Sequence, residues 1–172
     1  MKQIKVLRER TSVNNTLSYT NIFGQTIKVG FSWENPISEE EINMFESSNN
    51  IKLPRSYKEF LKVSNGAIIY EDIEYGGSGY KIFSLNEILI STKDRIECGY
   101  YLNDHCVVFA EVMGNSDFLL FDLKKSEDKG KDYIIDGDAG YPVDEWEYIK
   151  GDFSHFINRL ITTNGAMYWR WC

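Results

Sequence analysis

Apolar positions along the chain recur with two periods, and most elements follow from which period holds where. In "KQIKVLRE" the apolar residues Ile4 and Val6 alternate with polar ones, and "NIFGQTIKVGF" alternates again through Ile27, Val29 and Phe31. Alternation of this kind marks half-buried strands. The turn-prone asparagines of "VNNTLS" lie between the two. Residues 1–30 therefore predict two short strands joined by a long loop.

The period then changes. "NPISEEEINMFESSNN" opens a helix, because Ser38 can accept from the amide of Glu41 while the Glu41 carboxylate returns the bond. Glu39, Glu40 and Glu41 sit where the helix dipole favours negative charge. Ile42 and Phe45 share a face, with Ile37 ahead of the cap as a staple. In "LPRSYKEFLKVSNGA", Pro54 suits a first turn and Tyr57, Phe60 and Leu61 recur at helical spacing. Asn65-Gly66 tolerates positive φ and predicts the stop.

Strands follow at Ala67–Tyr70 and Tyr80–Phe83, around the glycine-rich loop "YGGSGY". "LNEILISTKDRIECGYYL" predicts a helix with Leu85, Ile88 and Leu89 on one face. Val107–Val112 and Phe118–Leu123 flank "MGNSD" and predict a hairpin. "KSEDKGK" predicts a solvated loop, and Tyr133–Ile135 a strand leading to a turn and a possible edge strand. The last helix is "GDFSHFINRLITTNG", with Phe153, Phe156, Ile157 and Leu160 as its buried stripe and Asn164-Gly165 as its stop. Strands clustered between helices predict an α+β domain, not alternating βαβ units.

Composition narrows the class. A chain of 172 residues with 42% hydrophobic residues fits one domain, 1–172, with a core that needs no metal or disulfide. Cys98, Cys106 and Cys172 form no paired motif, and no signal segment or membrane span is present in the pattern, which predicts a reduced, cytoplasmic location. The net charge is −7, but residues 1–30 hold five cations against Glu9 alone, a net +4, so the other 142 residues carry −11. An acidic body repels nucleic acid and anionic lipid and attracts cationic partners.

The pieces occur in a specific order: "ISEEEI", then "LPRSYKEFL" and "NG", then "VVFAEVMGNSDFLLFDL", then "YPVDEW", then "FSHFINRL". In this order and spacing the chain resembles the SUKH superfamily, in its branch related to fungal cell-wall assembly regulators of the Smi/Knr type. The resemblance rests on Leu53-Pro54, Tyr57, Phe60-Leu61, Asn65-Gly66, Gly114, Asp117, Asp122, Trp146, Phe153 and Phe156. It covers residues 31–161 as a SUKH-like core and leaves 1–30 as an N-terminal strand extension. It implies an α+β fold with a mixed, mostly antiparallel sheet and flanking helices. It also implies function: bacterial members look like immunity proteins that bind and neutralise the toxin domain, often a nuclease, of a secreted polymorphic toxin. Fungal members look like regulatory scaffolds, and neither kind is known for catalysis.

His105 and Cys106 are strand neighbours, which point to opposite faces and cannot form a nucleophilic pair. Asp136, Asp138 and Glu147 fall at positions 1, 3 and 12 of a calcium loop, but position 6 is Tyr141 where glycine is required and position 5 is Gly140. The glycines of "YGGSGY" lack the lysine and the helix of a phosphate loop. What remains is acid mixed with aromatics. Glu71, Asp72 and Glu74 crowd one stretch with Tyr75; Asp136, Asp138, Asp144, Glu145 and Glu147 crowd another with Tyr141 and Trp146. If they face one way, they form a surface suited to a basic protein. These residues suggest a non-enzymatic binder of a basic protein with no cofactor or metal, and the resemblance implies that this partner is a toxin domain, a nuclease in the first instance. The alternative is a regulatory interaction module of the same fold.

Overall fold

Eight strands pair in the order in which the chain makes them: β1 (Thr16–Thr20), β2 (Thr26–Trp33), β3 (Ala67–Asp72), β4 (Tyr80–Ile82), β5 (Cys106–Val112), β6 (Phe118–Asp122), β7 (Ile134–Gly137) and β8 (Tyr148–Ile149). This is the sheet of a computed structural model that describes residues 1–21, 23–128 and 132–171. Every pairing among the described strands is antiparallel, where a mostly antiparallel sheet was expected. Six α-helices among the described residues complete the α+β fold: α1 (Lys2–Thr11), α2 (Glu39–Asn49), α3 (Arg55–Leu61), α4 (Glu87–Glu97), α5 (Leu123–Ser126) and α6 (Phe153–Thr162).

Side-chain alternation decides which helix lies on which face. Phe121 of β6 stacks on Phe109 of β5 with centroids 3.9 Å apart, and both meet Tyr57 of α3 and Phe153 of α6. So α3 and α6 cover that face. Phe118 points the other way, under Arg95 of α4, whose guanidinium lies 4.7 Å from the ring. Helix α4 therefore covers the second face, where Thr92 Oγ1 also accepts from the Val108 amide. Tyr57, Phe60 and Leu61 are fully buried, as their spacing predicted. The Tyr57 hydroxyl donates to the Phe83 carbonyl at 2.7 Å and fixes α3 to the sheet.

The capping box at Ser38 forms as expected, with both bonds present, and Asn50 ends α2 in the left-handed conformation. The Asn65-Gly66 expectation shifts. Helix α3 ends at Leu61, and Asn65 Oδ1 accepts from the Leu85 amide instead. Gly66 begins the run into β3, where a side chain would press on the backbone of Ile82 and Ser84.

The N-terminal extension is a correction. Residues 2–11 are helical, not a strand. Ile4, Leu7 and Thr11 are buried together at helical spacing, whereas Val6, which alternation had placed beside Ile4, is 44% exposed. Tertiary bonds favour the helix: Arg8 donates to the carbonyls of Val63 and Glu34, and the Trp33 indole donates to Thr11 Oγ1 at 2.8 Å. The first strand instead forms from "TLSYT", part of which had been read as loop, and pairs with β2. Ile22 of the predicted second strand, residues 129–131 of the solvated loop and Cys172 lie outside the described residues. The start of that loop is helical, as α5, capped by Asp122.

Candidate functional site

Strands β3, β5 and β7 run in one direction, so the turns that follow them emerge at one end of the sheet. The two acidic stretches sit in the first and last of these turns. Four strand spacings separate β3 from β7, roughly 19 Å. They share an end but not a site.

In the first stretch the carboxylates build the turn. Asp72 Oδ1 accepts from the amides of Glu74 and Tyr75, both at 3.0 Å. Such side-chain capping fixes a tight turn from within. Glu71 is half-buried on β3 opposite Gly30. Glu74 and Tyr75 are exposed, and a hydrogen bond to the Glu74 carboxylate pushes the Tyr75 phenol above its usual range. Nearby, Tyr70 holds a positive φ of 57° at the irregularity where β2 and β3 change register. Its ring lies against Gly165, and its hydroxyl donates to the Ile161 carbonyl. The neighbouring turn is bound to this one: a methyl on Gly114 would collide with the backbone of Gly77.

The second stretch is organised around a cation. After α6, Asn164 and Gly165 both take positive φ and turn the chain back, as expected of them. The tail then places Arg170 beneath β7. Its guanidinium grips both oxygens of Asp136 at 2.6 and 2.8 Å, Asp117 at 2.9 Å and Asp138 at 3.1 Å. Asp136 is on the α6 face because it pairs with Leu119, the neighbour of Phe118 and thus on the opposite side. Asp117 and Asp136 are buried. The hydrogen bonds that Arg170 donates to Asp136 first, then the charge of Asp136 and Asp117, raise the Arg170 pKa above its already high value, so it stays a cation. Asp117 also accepts from the Ala139 amide at 3.0 Å, which ties the β7–β8 loop to the cluster.

Above the cluster that loop forms a wall. The Trp146 indole donates to the carbonyls of Asp138 (2.8 Å) and Tyr141 (3.2 Å), closing the loop on itself. The Trp146 ring packs edge-on against Phe118. Opposite, Trp169 packs on Tyr80 and Phe156. Between them lies a pocket of about 470 Å³ lined by Tyr141, Glu145, Trp146, Glu147, Trp169 and Arg170, together with Asp136, Asp138, Tyr148 and Ile149. Asp144, Glu145, Glu147 and Tyr141 are exposed on its side of the molecule.

The structure thus brings Asp136, Asp138, Tyr141, Glu145 and Glu147 together at one pocket and keeps Glu71, Asp72, Glu74 and Tyr75 apart from it. Asp136 is engaged internally, so of the expected contact residues it is the one least available to a partner. Sequence reasoning missed Arg170, Trp169 and the pairing role of Asp117. A lone cation in the aromatic tail "AMYWRWC" was the signal present, with nothing in the sequence to say which carboxylates it meets. The Asp136–Asp138 pair faces the Arg170 guanidinium. Cys106 is buried, and burial, helped by the charge of Asp122, pushes its thiol up to about 11. His105 Nε2 lies 3.7 Å from Asp122.

Comparison with known proteins matches the SMI1/KNR4 family (SUKH-1) over residues 36–159, most of the chain. The protein belongs to the SMI1/KNR4 family. The match begins near the α2 cap and ends within α6, so it takes in α2 to β8 and leaves out α1, β1, β2 and the tail that carries Arg170. Two Bacillus subtilis proteins are similar. "Uncharacterized protein YobM" is 28% identical over 76% of this chain and 69% of its own length, and "Uncharacterized protein YnaB" is 25% identical over 81% and 86%. "KNR4/SMI1 homolog 1" of Debaryomyces hansenii is 29% identical over 72 residues, 41% of this chain and 16% of that protein. No helix among the described residues is long and apolar enough to cross a membrane.

Proposed function

We propose that this SUKH-1 protein is a cytoplasmic immunity protein that binds a basic toxin domain, a nuclease, and blocks it by covering its phosphate-binding surface. The observation that carries the reading is the acidic end of the sheet: exposed Asp144, Glu145 and Glu147 beside Tyr141 and Trp146, in a family that includes immunity proteins. A nuclease must present lysine and arginine to grip phosphates. Carboxylates aimed back at those groups speed encounter and fix orientation, while buried aromatics supply contact energy. The role is binding without catalysis. The paired carboxylates Asp136 and Asp138 are tied to Arg170, and Cys106 is held as an unreactive thiol.

A pull-down from host lysate, eluted on a salt gradient, identifies the partner. The recovered effector domain is then expressed alone and together with this chain. Restored growth, with a complex that weakens steeply as salt rises, is the expected result. Recovery of partners that are not effectors, with no protection, would favour the second reading, a regulatory interaction module of the same fold.

A further inference from the structure

Resting on the binding role proposed above, we infer that the pocket between the β7–β8 loop and the tail receives the guanidinium of an arginine side chain presented by the partner. Three features of the pocket carry this. The first is charge. Asp117, Asp136 and Asp138 surround Arg170, which leaves that cluster two charges negative, and Glu145 and Glu147 stand on the pocket wall with no ion pair among the described residues. Arg170 is the one cation in the lining among the described residues. The second is a worked precedent inside the molecule: these carboxylates already hold a guanidinium, and Asp136 does so in a two-oxygen fork. The third is shape. Tyr141, Trp146 and Trp169 offer flat aromatic surface in the lining, which suits a planar, weakly hydrated cation better than a compact ammonium. Trp169 adds a polar group in need of a partner, since its indole N–H is buried and finds no acceptor among the described residues.

The neighbouring sites lack this combination. The pocket behind the Asp72 turn, about 270 Å³, is lined by glycine backbone, Tyr19, Ile27 and Val29, with Asp72 as its one carboxylate among the described residues. The pocket beside Asp152 mixes Arg55 and His155 with acids and, among the described residues, has no tryptophan and one tyrosine, Tyr133, in its wall.

The test uses the full chain and N-acetyl-L-arginine amide as probe, followed by the indole N–H signals of the four tryptophans in heteronuclear NMR. Saturable shifts at Trp146 and Trp169, without movement at Trp33, are expected, and the uncharged N-acetyl-citrulline amide should leave all four in place. In the double variant Glu145→Gln/Glu147→Gln the arginine probe should bind about threefold to tenfold more weakly, as befits two partly exposed ion pairs. Equal shifts with the citrulline probe, equal binding by N-acetyl-lysine amide, or unchanged binding by the double variant would overturn the assignment. Its failure is separable from failure of the immunity role. Should the wild-type chain protect cells and the double variant protect them equally, the pocket is wrong and the immunity role stands. Should the probe bind as expected while no effector is neutralised, the pocket stands and the immunity role falls.

Discussion

The β3–β4 turn and the β7–β8 loop have nearly the same letters, acids mixed with tyrosine and glycine, and the fold puts them to different uses. In the first, Asp72 is turned inward on the turn's own amides, and its neighbours project singly into solvent. In the second, Asp136 and Asp138 meet a cation from 30 or more residues further along the chain, and aromatic rings frame the space beside them. Local density of charge therefore does not define a binding surface. A distant group that fixes the carboxylates, together with walls that shape the space, is what distinguishes the two.

The largest effect should come from removing that distant group. Arg170→Met leaves Asp117 and Asp136 buried without their cation, which costs roughly 3 kcal/mol. In a chain of this size that lowers Tm by on the order of 10 °C, readable by circular dichroism. Little change in Tm would show that the pocket stands without its cation and would erase the contrast. Gly114→Ala comes next, because it needs a positive φ of 86° and drives the methyl into the Gly77 backbone. About 2 kcal/mol in urea unfolding is expected. Asp72→Ala should cost about 1 kcal/mol by the same measure, the worth of its turn bonds, and should leave partner binding untouched. Glu145→Gln and Glu147→Gln invert that profile, with stability within about 0.5 kcal/mol of the parent and a clear loss in binding. The smallest effect is a titration. The Glu74 carboxylate holds the Tyr75 phenol up by favouring its protonated form. In Glu74→Gln the phenol should ionise at a lower pH, followed through the Tyr75 ring signals.

How far the sequence foretold this depends on whether the cause was local. The Ser38 capping box, the buried face of α3 and the stripe of α6 are set by residues within two turns of one another, and all appear where spacing placed them. The N-terminal helix was not legible in that way. Ile4 and Val6 satisfy alternation and Ile4 and Leu7 satisfy helical spacing, so the choice fell to Trp33, Val63 and Glu34, which lie far along the chain. The same holds at the pocket. Its acids were visible as a cluster, but the Arg170 contacts span 34 residues to Asp136 and 53 to Asp117. No short-range pattern encodes a pairing of that reach.

The order of strands in the sheet carries a consequence of its own. Because each strand pairs only with the one before and the one after it, every turn at the acidic end is the tip of a hairpin or of a short neighbouring connection. Such tips can be lengthened, shortened or exchanged with little effect on the helical layer behind them. An architecture of this sort lets the loop tips change while folding stays put. The Gly77–Gly114 contact limits that freedom, since two of the tips must change together or leave each other room.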